Sequence, residues 1–200
     1  MKPPTLDVVI DISHYQGNPD FKQVKASGIR AVIHKCTQGV GWSDDEYQTN
    51  RNAAENAGLL WAAYSFGTNL SSGAEQATYL LKHCGRARIA LDYEPNGSST
   101  MSIEQAEEFC RAIEVVTKKP TIIYTGDPMF PDALSLRYSC FGERPLWFSE
   151  FAPSPAKAPK RWRLTMWQYT DSGSVKGVAG DCDRDRFYGT PQDLIDLFVP

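Results

Sequence analysis

Five apolar runs of strand character are separated by four stretches of helical spacing, and this rhythm limits the chain to a few folds. The strand-like runs are "DVVIDIS" (7–13), "RAVIHK" (30–35), "LLWAAYSF" (59–66), "ARIALDYE" (87–94) and "TIIYTG" (121–126). Between them lie "PDFKQVKASG" (19–28), "SDDEYQTNRNAAENAG" (43–58), "SGAEQATYLLKHCG" (72–85) and "SIEQAEEFCRAIEVVTKK" (102–119). Asn18, Pro19 and Gly28 read as cap, first position and stop of the first helix. Ser102 with Gln105 reads as a capping box for the fourth, whose apolar residues Ile103, Ala106, Phe109, Cys110 and Ile113 recur at helical spacing. Alternation of this kind predicts a parallel sheet, because parallel neighbours need a crossover between them.

After residue 126 the rhythm changes. "PLWFSEF" (145–151) and "RLTMWQYT" (163–170) read as strands, separated by the Pro- and Lys-rich "APSPAKAPKRW". "DCDRDRF" (181–187) reads as an eighth short strand and "TPQDLIDLF" (190–198) as a closing helix. Eight strands with fewer helices predict an irregular, closed (β/α)8-like, TIM-type α/β barrel. An open doubly wound sheet is the structural alternative, but no G-x-G-x-x-G follows any strand, so a nucleotide-binding version has no support.

The 200 residues fit one domain, expected over 1–200, with no repeat and no linker-length low-complexity segment. The net charge is −3 without a basic run, so no nucleic-acid partner is expected. No apolar stretch approaches the roughly 20 residues of a membrane span, so no membrane partner is expected either. The opening "MKPPTLDVVIDIS" is interrupted by Asp7 and Asp11 and reads as a first strand, not a signal peptide, so synthesis in the cytoplasm is expected. Cys36, Cys84, Cys110, Cys140 and Cys182 are odd in number and contain no C-x-x-C, which favours free thiols over a disulfide framework or a zinc site. One bridge stays open.

"RIALDYEPNGS" (88–98) carries the chemistry. An apolar run delivers Asp92 and Glu94 two residues apart, and a strand places i and i+2 on one side, about 6.5–7 Å apart. In a barrel of parallel strands the C-terminal strand ends build the active site. Like charges so placed raise the proton affinity of at least one carboxyl, and a protonated carboxyl is what general acid catalysis needs. An ionised Asp92 is expected to hold the proton on Glu94. Asp11 also follows an apolar run, and Asp183 sits in "GDCDRDRF" between Asp181 and Asp185. Each acid alone could merely cap a loop. Asp92 with Glu94, reached directly from apolar sequence, favours function.

Aromatic residues cluster near the same ends: Tyr64, Phe66, Tyr93, Tyr124, Trp147, Phe148, Trp167 and Tyr169. Carboxylates with aromatic platforms suit a sugar polymer, although large rings also fill barrel cores, and alternation lets about half of them face a cleft. His14, His34 and His83 form no ligand pair and no G-x-S-x-G occurs, so serine hydrolysis is weakly supported. Asp92, Glu94 and Asp183 are oxygen donors of the type hard cations take, but no neutral ligand stands beside them. No metal and no cofactor are expected.

Taken in order, these motifs resemble glycoside hydrolase family 25 lysozymes. "DVVIDISHYQG" resembles the D-x-S-x-x-Q-G opening of that family, "IHKCTQG" its K-x-T-x-G motif and "LLWAAYSFG" its third-strand aromatic segment. "IALDYEP" resembles its D-x-E strand, "PTIIYTG" and "LWFSEFA" its fifth and sixth strands, and "MWQYTDSGSVKGVAGDCDRDRF" its W-Q-Y-T segment, glycine turn and final Asp. The resemblance implies a flattened barrel and N-acetylmuramidase (phage endolysin-like) activity on peptidoglycan. The bond cut would join N-acetylmuramic acid to N-acetylglucosamine, with retention. Glu94 would be the general acid, Asp92 would tune it, and Asp11 and Asp183 would complete the site. Tyr64, Phe66, Tyr124, Trp147, Trp167, Gln168 and Lys35 are the expected substrate-binding residues.

Two departures stand out. Ser65 occupies the middle of a segment that usually reads Tyr-His-Phe, which would alter a subsite or remove a hydrogen bond. Asp181 and Asp185 stand where neutral residues, often Asn, are common. The expected partner is the glycan strand of bacterial peptidoglycan, met by a monomer after release or export by another route, with no separate cell-wall-binding domain. A non-catalytic glycan-binding barrel and a chitinase-like hydrolase are the alternatives. Having all four acids favours the enzyme, and the chitinase signature carries further acids before its pair that "RIALDYE" lacks.

Overall fold

The computed structural model describes residues 4–126, 139–159 and 162–200. Its strands are β1 (Thr5–Ile12), β2 (Ala31–Gln38), β3 (Trp42–Ser43), β4 (Leu60–Phe66), β5 (Arg88–Asp92), β6 (Ile122–Gly126), β7 (Leu146–Ser149), β8 (Leu164–Gly173) and β9 (Cys182–Tyr188). Its helices are α1 (Phe21–Ala26), α2 (Tyr47–Asn56), α3 (Gly73–His83), α4 (Ile103–Thr117) and α5 (Pro191–Phe198), with a single helical turn at Ser139–Gly142. The sheet order is β1-β9-β8-β7-β6-β5-β4-β2-β3, and a further β1–β2 pairing closes it into an eight-stranded barrel, with β3 as a two-residue hairpin arm on β2.

One strand corrects the parallel reading. β9 runs antiparallel to both β8 and β1, while the other barrel pairings are parallel. The connection from Gly173 to Cys182 explains it. A parallel return needs a crossover of about a dozen residues or more, and this shorter link can make only a hairpin.

Alternation sorts the side chains into two apolar layers. Val9, Ala31, Ile33, Ala62, Ala90, Ile122, Trp147, Met166 and Phe187 point into the barrel. The intervening residues, among them Ile10, Val32, Ala63, Ile89, Leu91 and Phe148, pack outward against Val24, Leu80, Phe109 and Ile113 of the helices. Small residues on β2, β4 and β5 leave room for Trp147, which a strand barrel of this size must accommodate. Leu194 and Phe198 of α5 join the interior cluster and close the lower end. Buried Arg88 ties α5 in place, donating through Nε to the Leu197 carbonyl at 2.9 Å and through its other arm to Pro120. Truncating Phe198 to Ala would cost about 3–5 kcal/mol, as for other buried aromatics.

The helix ends follow local chemistry. Ser72, Ser102 and Thr190 each form a complete capping box. For α1 the cap is Asp20 rather than Asn18, accepting from Lys22 and Gln23 backbone N–H groups at 3.0 and 3.1 Å. Gly73 opens α3 where α4 passes closely, and a Cβ there would collide with the Gln105 carbonyl oxygen. Cys36, Cys84, Cys110 and Cys182 are free and buried. No helix among the described residues is long and apolar enough to cross a membrane.

Candidate active site

The inward positions one step above the apolar floor are polar. Asp11 follows Val9, Tyr64 follows Ala62, Asp92 follows Ala90, Tyr124 follows Ile122 and Gln168 follows Met166, all by the period of two. Because β9 is antiparallel, Asp183 reaches the same mouth from the start of its strand, directly opposite Asp11. Asp11, Tyr64, Asp92, Glu94, Tyr124, Trp147, Phe151, Gln168 and Asp183 line one cavity of about 200 Å³.

Gln168 organises one side. Its Nε2 donates to Asp11 Oδ2 at 2.9 Å, while its Oε1 accepts from Tyr124 Oη at 2.9 Å and Ser149 Oγ at 3.1 Å. Trp147 forms the floor edge-on to Tyr124, with centroids 4.6 Å apart. Its Nε1 donates to Asp185 Oδ1 at 2.6 Å.

The electrostatics are those of a carboxyl cluster removed from water. Asp92 is 8 % exposed, its Oδ1 has no donor among the described residues, and burial followed by the Glu94 charge pushes its pKa well up. Burial also raises Glu94, and the Lys35 ammonium pulls it back. Both carboxyls are raised chiefly by burial, and the pair shares the like-charge repulsion, so at least one of the two keeps its proton. Burial brings Asp183 up to about 6 and Asp185 to about 8, and it raises Asp11 with both of these acids beside it. Tyr64 and Tyr124 are likewise raised by burial, then by the acids, and remain neutral hydroxyls.

Of the residues expected to bind substrate, Tyr64, Tyr124, Trp147 and Gln168 join the four acids at the cavity. Lys35 and Phe66 flank it. The Lys35 ammonium bonds Gln38 Oε1 at 2.8 Å and lies 5.1 Å from the Phe66 and Trp42 rings. Trp167 is a correction. Its neighbours Met166 and Gln168 point inward, so Trp167 points outward, where its Nε1 donates to the Glu150 carbonyl and Arg186 covers its ring. It lines a separate groove with Tyr188 and Pro153. Ser65 is also outward, buried and bonded by Thr37 Oγ1 at 2.9 Å, so this position lies outside the cleft.

Phe151 and Asp185 are additions. Phe151 lies just past β7, where alternation ends and no periodic signal exists. Asp185 was legible as Asp183 plus two on an extended segment. Asp181, by contrast, is exposed. Among the described residues, no three His, Cys, Asp or Glu side chains are grouped to hold a metal ion.

A closed barrel with acids and aromatic rings gathered at one mouth defines a carbohydrate-cleaving enzyme, a glycosidase. The model of the family "Glycosyl hydrolases family 25" matches residues 10–178, and the chain belongs to that family. It is 29% identical to lysozyme M1 of Streptomyces globisporus over 94% of this chain and 70% of that protein. It is 25% identical to the N,O-diacetylmuramidase of Chalaropsis sp. over 86% and 94% of the two chains. The bacterial lysozyme of Streptomyces coelicolor superimposes with a TM-score of 0.84 at 30% identity, covering 96% of this chain and 97% of that one. The family GH25 lysozyme of Aspergillus fumigatus gives 0.81 at 27% identity, covering 98% and 100%. The chain is thus a lysozyme-class glycosidase with the TIM-like barrel of these relatives.

Proposed function

We propose that this chain hydrolyses the β-1,4 bond between N-acetylmuramic acid and N-acetylglucosamine in bacterial peptidoglycan, with retention. The observation that carries the reading is the convergence of Asp11, Asp92, Glu94 and Asp183 on one cavity lined by Tyr64 and Tyr124 over a floor of Trp147. Glu94 is the general acid. Burial holds its proton, and its position past the end of β5 leaves it less enclosed than Asp92, so it can reach a glycosidic oxygen. As the bond breaks, that oxygen takes the Glu94 proton and leaves with the departing sugar. Positive charge develops on the remaining ring and is quenched on the face opposite the leaving sugar, by a carboxylate or by the substrate's own N-acetyl oxygen. A water that gives its proton to the Glu94 carboxylate then displaces that group, restoring the acid and retaining the configuration. Asp183, ionising at about 6, supplies negative charge near neutral pH. Asp11, held by Gln168, sets the facing side. Asp92 lies beneath Glu94 and orients it.

The enzyme acts as a monomer on the cell wall, reaching it after release or export. Loss of turbidity of a peptidoglycan suspension, with chitin as control, tests the reading. Clearing of peptidoglycan with new reducing ends at muramic acid is expected. Cleavage of chitin alone would point to a chitinase-like hydrolase, and glycan binding without any cleavage to a binding module.

A further inference from the structure

Asp185 is a buried carboxyl that the proposed mechanism does not use. It is fully enclosed, and it lies one inward step below Asp183, between Val9 of β1 and Gln168 of β8. Its Oδ1 accepts the Trp147 indole hydrogen, whereas its Oδ2 is buried with no N–H or O–H donor among the described residues. The carboxyls beside it are those of Asp11, across the β1–β9 ladder, and Asp183, the next inward residue of its own strand. Two carboxylates are both acceptors, so a hydrogen bond between any two of them needs a proton.

The groups facing Asp185 are Asp11 and Asp7 from β1, Asp183 from its own strand, Trp147 from β7 and Gln168 from β8. Three of these are acids. The indole of Trp147 and the amide of Gln168 donate one hydrogen each, to Asp185 and Asp11 respectively. An uncompensated buried charge costs several kcal/mol, so the cluster keeps a proton instead.

We propose that Asp185 is a positioning residue that shares one proton with Asp11 and thereby performs, as an acid, the task of a side-chain amide. It accepts from Trp147 through one oxygen and hydrogen-bonds Asp11 through the other. Asp11 is then gripped from two sides, by Gln168 and by Asp185, and faces Asp183 in a fixed orientation. Loss of the shared proton sets two carboxylates against each other and loosens Asp11. The burial that raises Asp185 to about 8 agrees with a proton retained through neutral pH. This inference rests on the proposed use of Asp11 in glycan cleavage, but its structural half does not depend on it.

Two variants and one resonance test it. The Trp147 indole N–H is followed by ¹H–¹⁵N correlation between about pH 5 and 10, a range that brackets ordinary and raised carboxyl pKa values. Wild type should show a step near pH 8 that is absent from Asp185→Asn, because the amide cannot ionise. On peptidoglycan, Asp185→Asn should keep kcat within about threefold, whereas Asp185→Leu should lose about tenfold or more in kcat with little change in KM. An indole that stays flat in wild type, a step that persists in Asp185→Asn, or an Asn variant as impaired as the Leu variant would each overturn the proposal. Should Asp185→Leu fail to fold, the titration and the Asn variant still decide. If the protein cleaves no glycan, the titration alone settles the shared proton, which separates this failure from that of the muramidase reading.

Discussion

Gln168 donates to Asp11 at 2.9 Å across a sequence separation of 157 residues. The bond joins the second-last barrel strand to the first, over the antiparallel β9 between them. Gln168→Leu removes that donor together with the acceptor for Tyr124 and Ser149. Its kcat should fall by about ten- to a hundredfold, the scale of losing a positioning contact, while the fold persists. Steady-state kinetics beside a far-UV circular dichroism spectrum check this.

Glu94→Gln keeps the shape of the side chain and removes the donated proton. Lysis should fall by about 10²–10⁴-fold, the usual worth of general acid catalysis. Near-normal lysis by the folded variant would displace Glu94 from that role.

Lys35→Met should move the alkaline limb of the kcat/KM profile to higher pH. Lys35 favours the ionised form of Glu94, and without it burial acts alone. Asp92→Asn should move the same limb to lower pH, since the two carboxyls are coupled and removing one favours ionisation of the other. The limb reports the coupled pair, so the two variants are compared on one soluble peptidoglycan fragment.

Asp183→Asn should cost far more activity than Asp181→Asn. Asp183 lines the cavity opposite Asp11, and Asp181 is exposed at the turn before β9. Relative lysis rates of the two folded variants settle the register.

Thermal stability should fall as pH rises. The folded pKa values of Asp183 and Asp185, about 6 and about 8, lie above the ordinary value of 3.8. The folded state therefore binds more protons than the unfolded chain. The stabilisation is fully present below about pH 4 and is lost as pH rises through 6 and then 8. Melting temperatures at pH 5 and pH 9 measure it, and Asp185→Asn should narrow the difference.

The local layout of the molecule was determined by the sequence itself. Period two put Ala90 and Asp92 on one side of an apolar run, with Glu94 just past the strand end, and period 3.6 with Ser102 and Gln105 set the start of α4. These are properties of a few neighbouring residues, so they need no knowledge of the rest. Only the tertiary structure decided the direction of β9, because strand direction depends on which partners a short connection can reach. It also decided which face of β8 looks inward, sending Gln168 into the cleft and Trp167 out of it. Alternation says that adjacent residues part company, but closure of the barrel chooses the side. The company of Asp185 was decided in the same way. Its burial, its indole donor from β7 and its place beside the acids of β1 exist only once strands distant in the chain are brought side by side, and these neighbours determine whether its carboxyl carries charge or a proton.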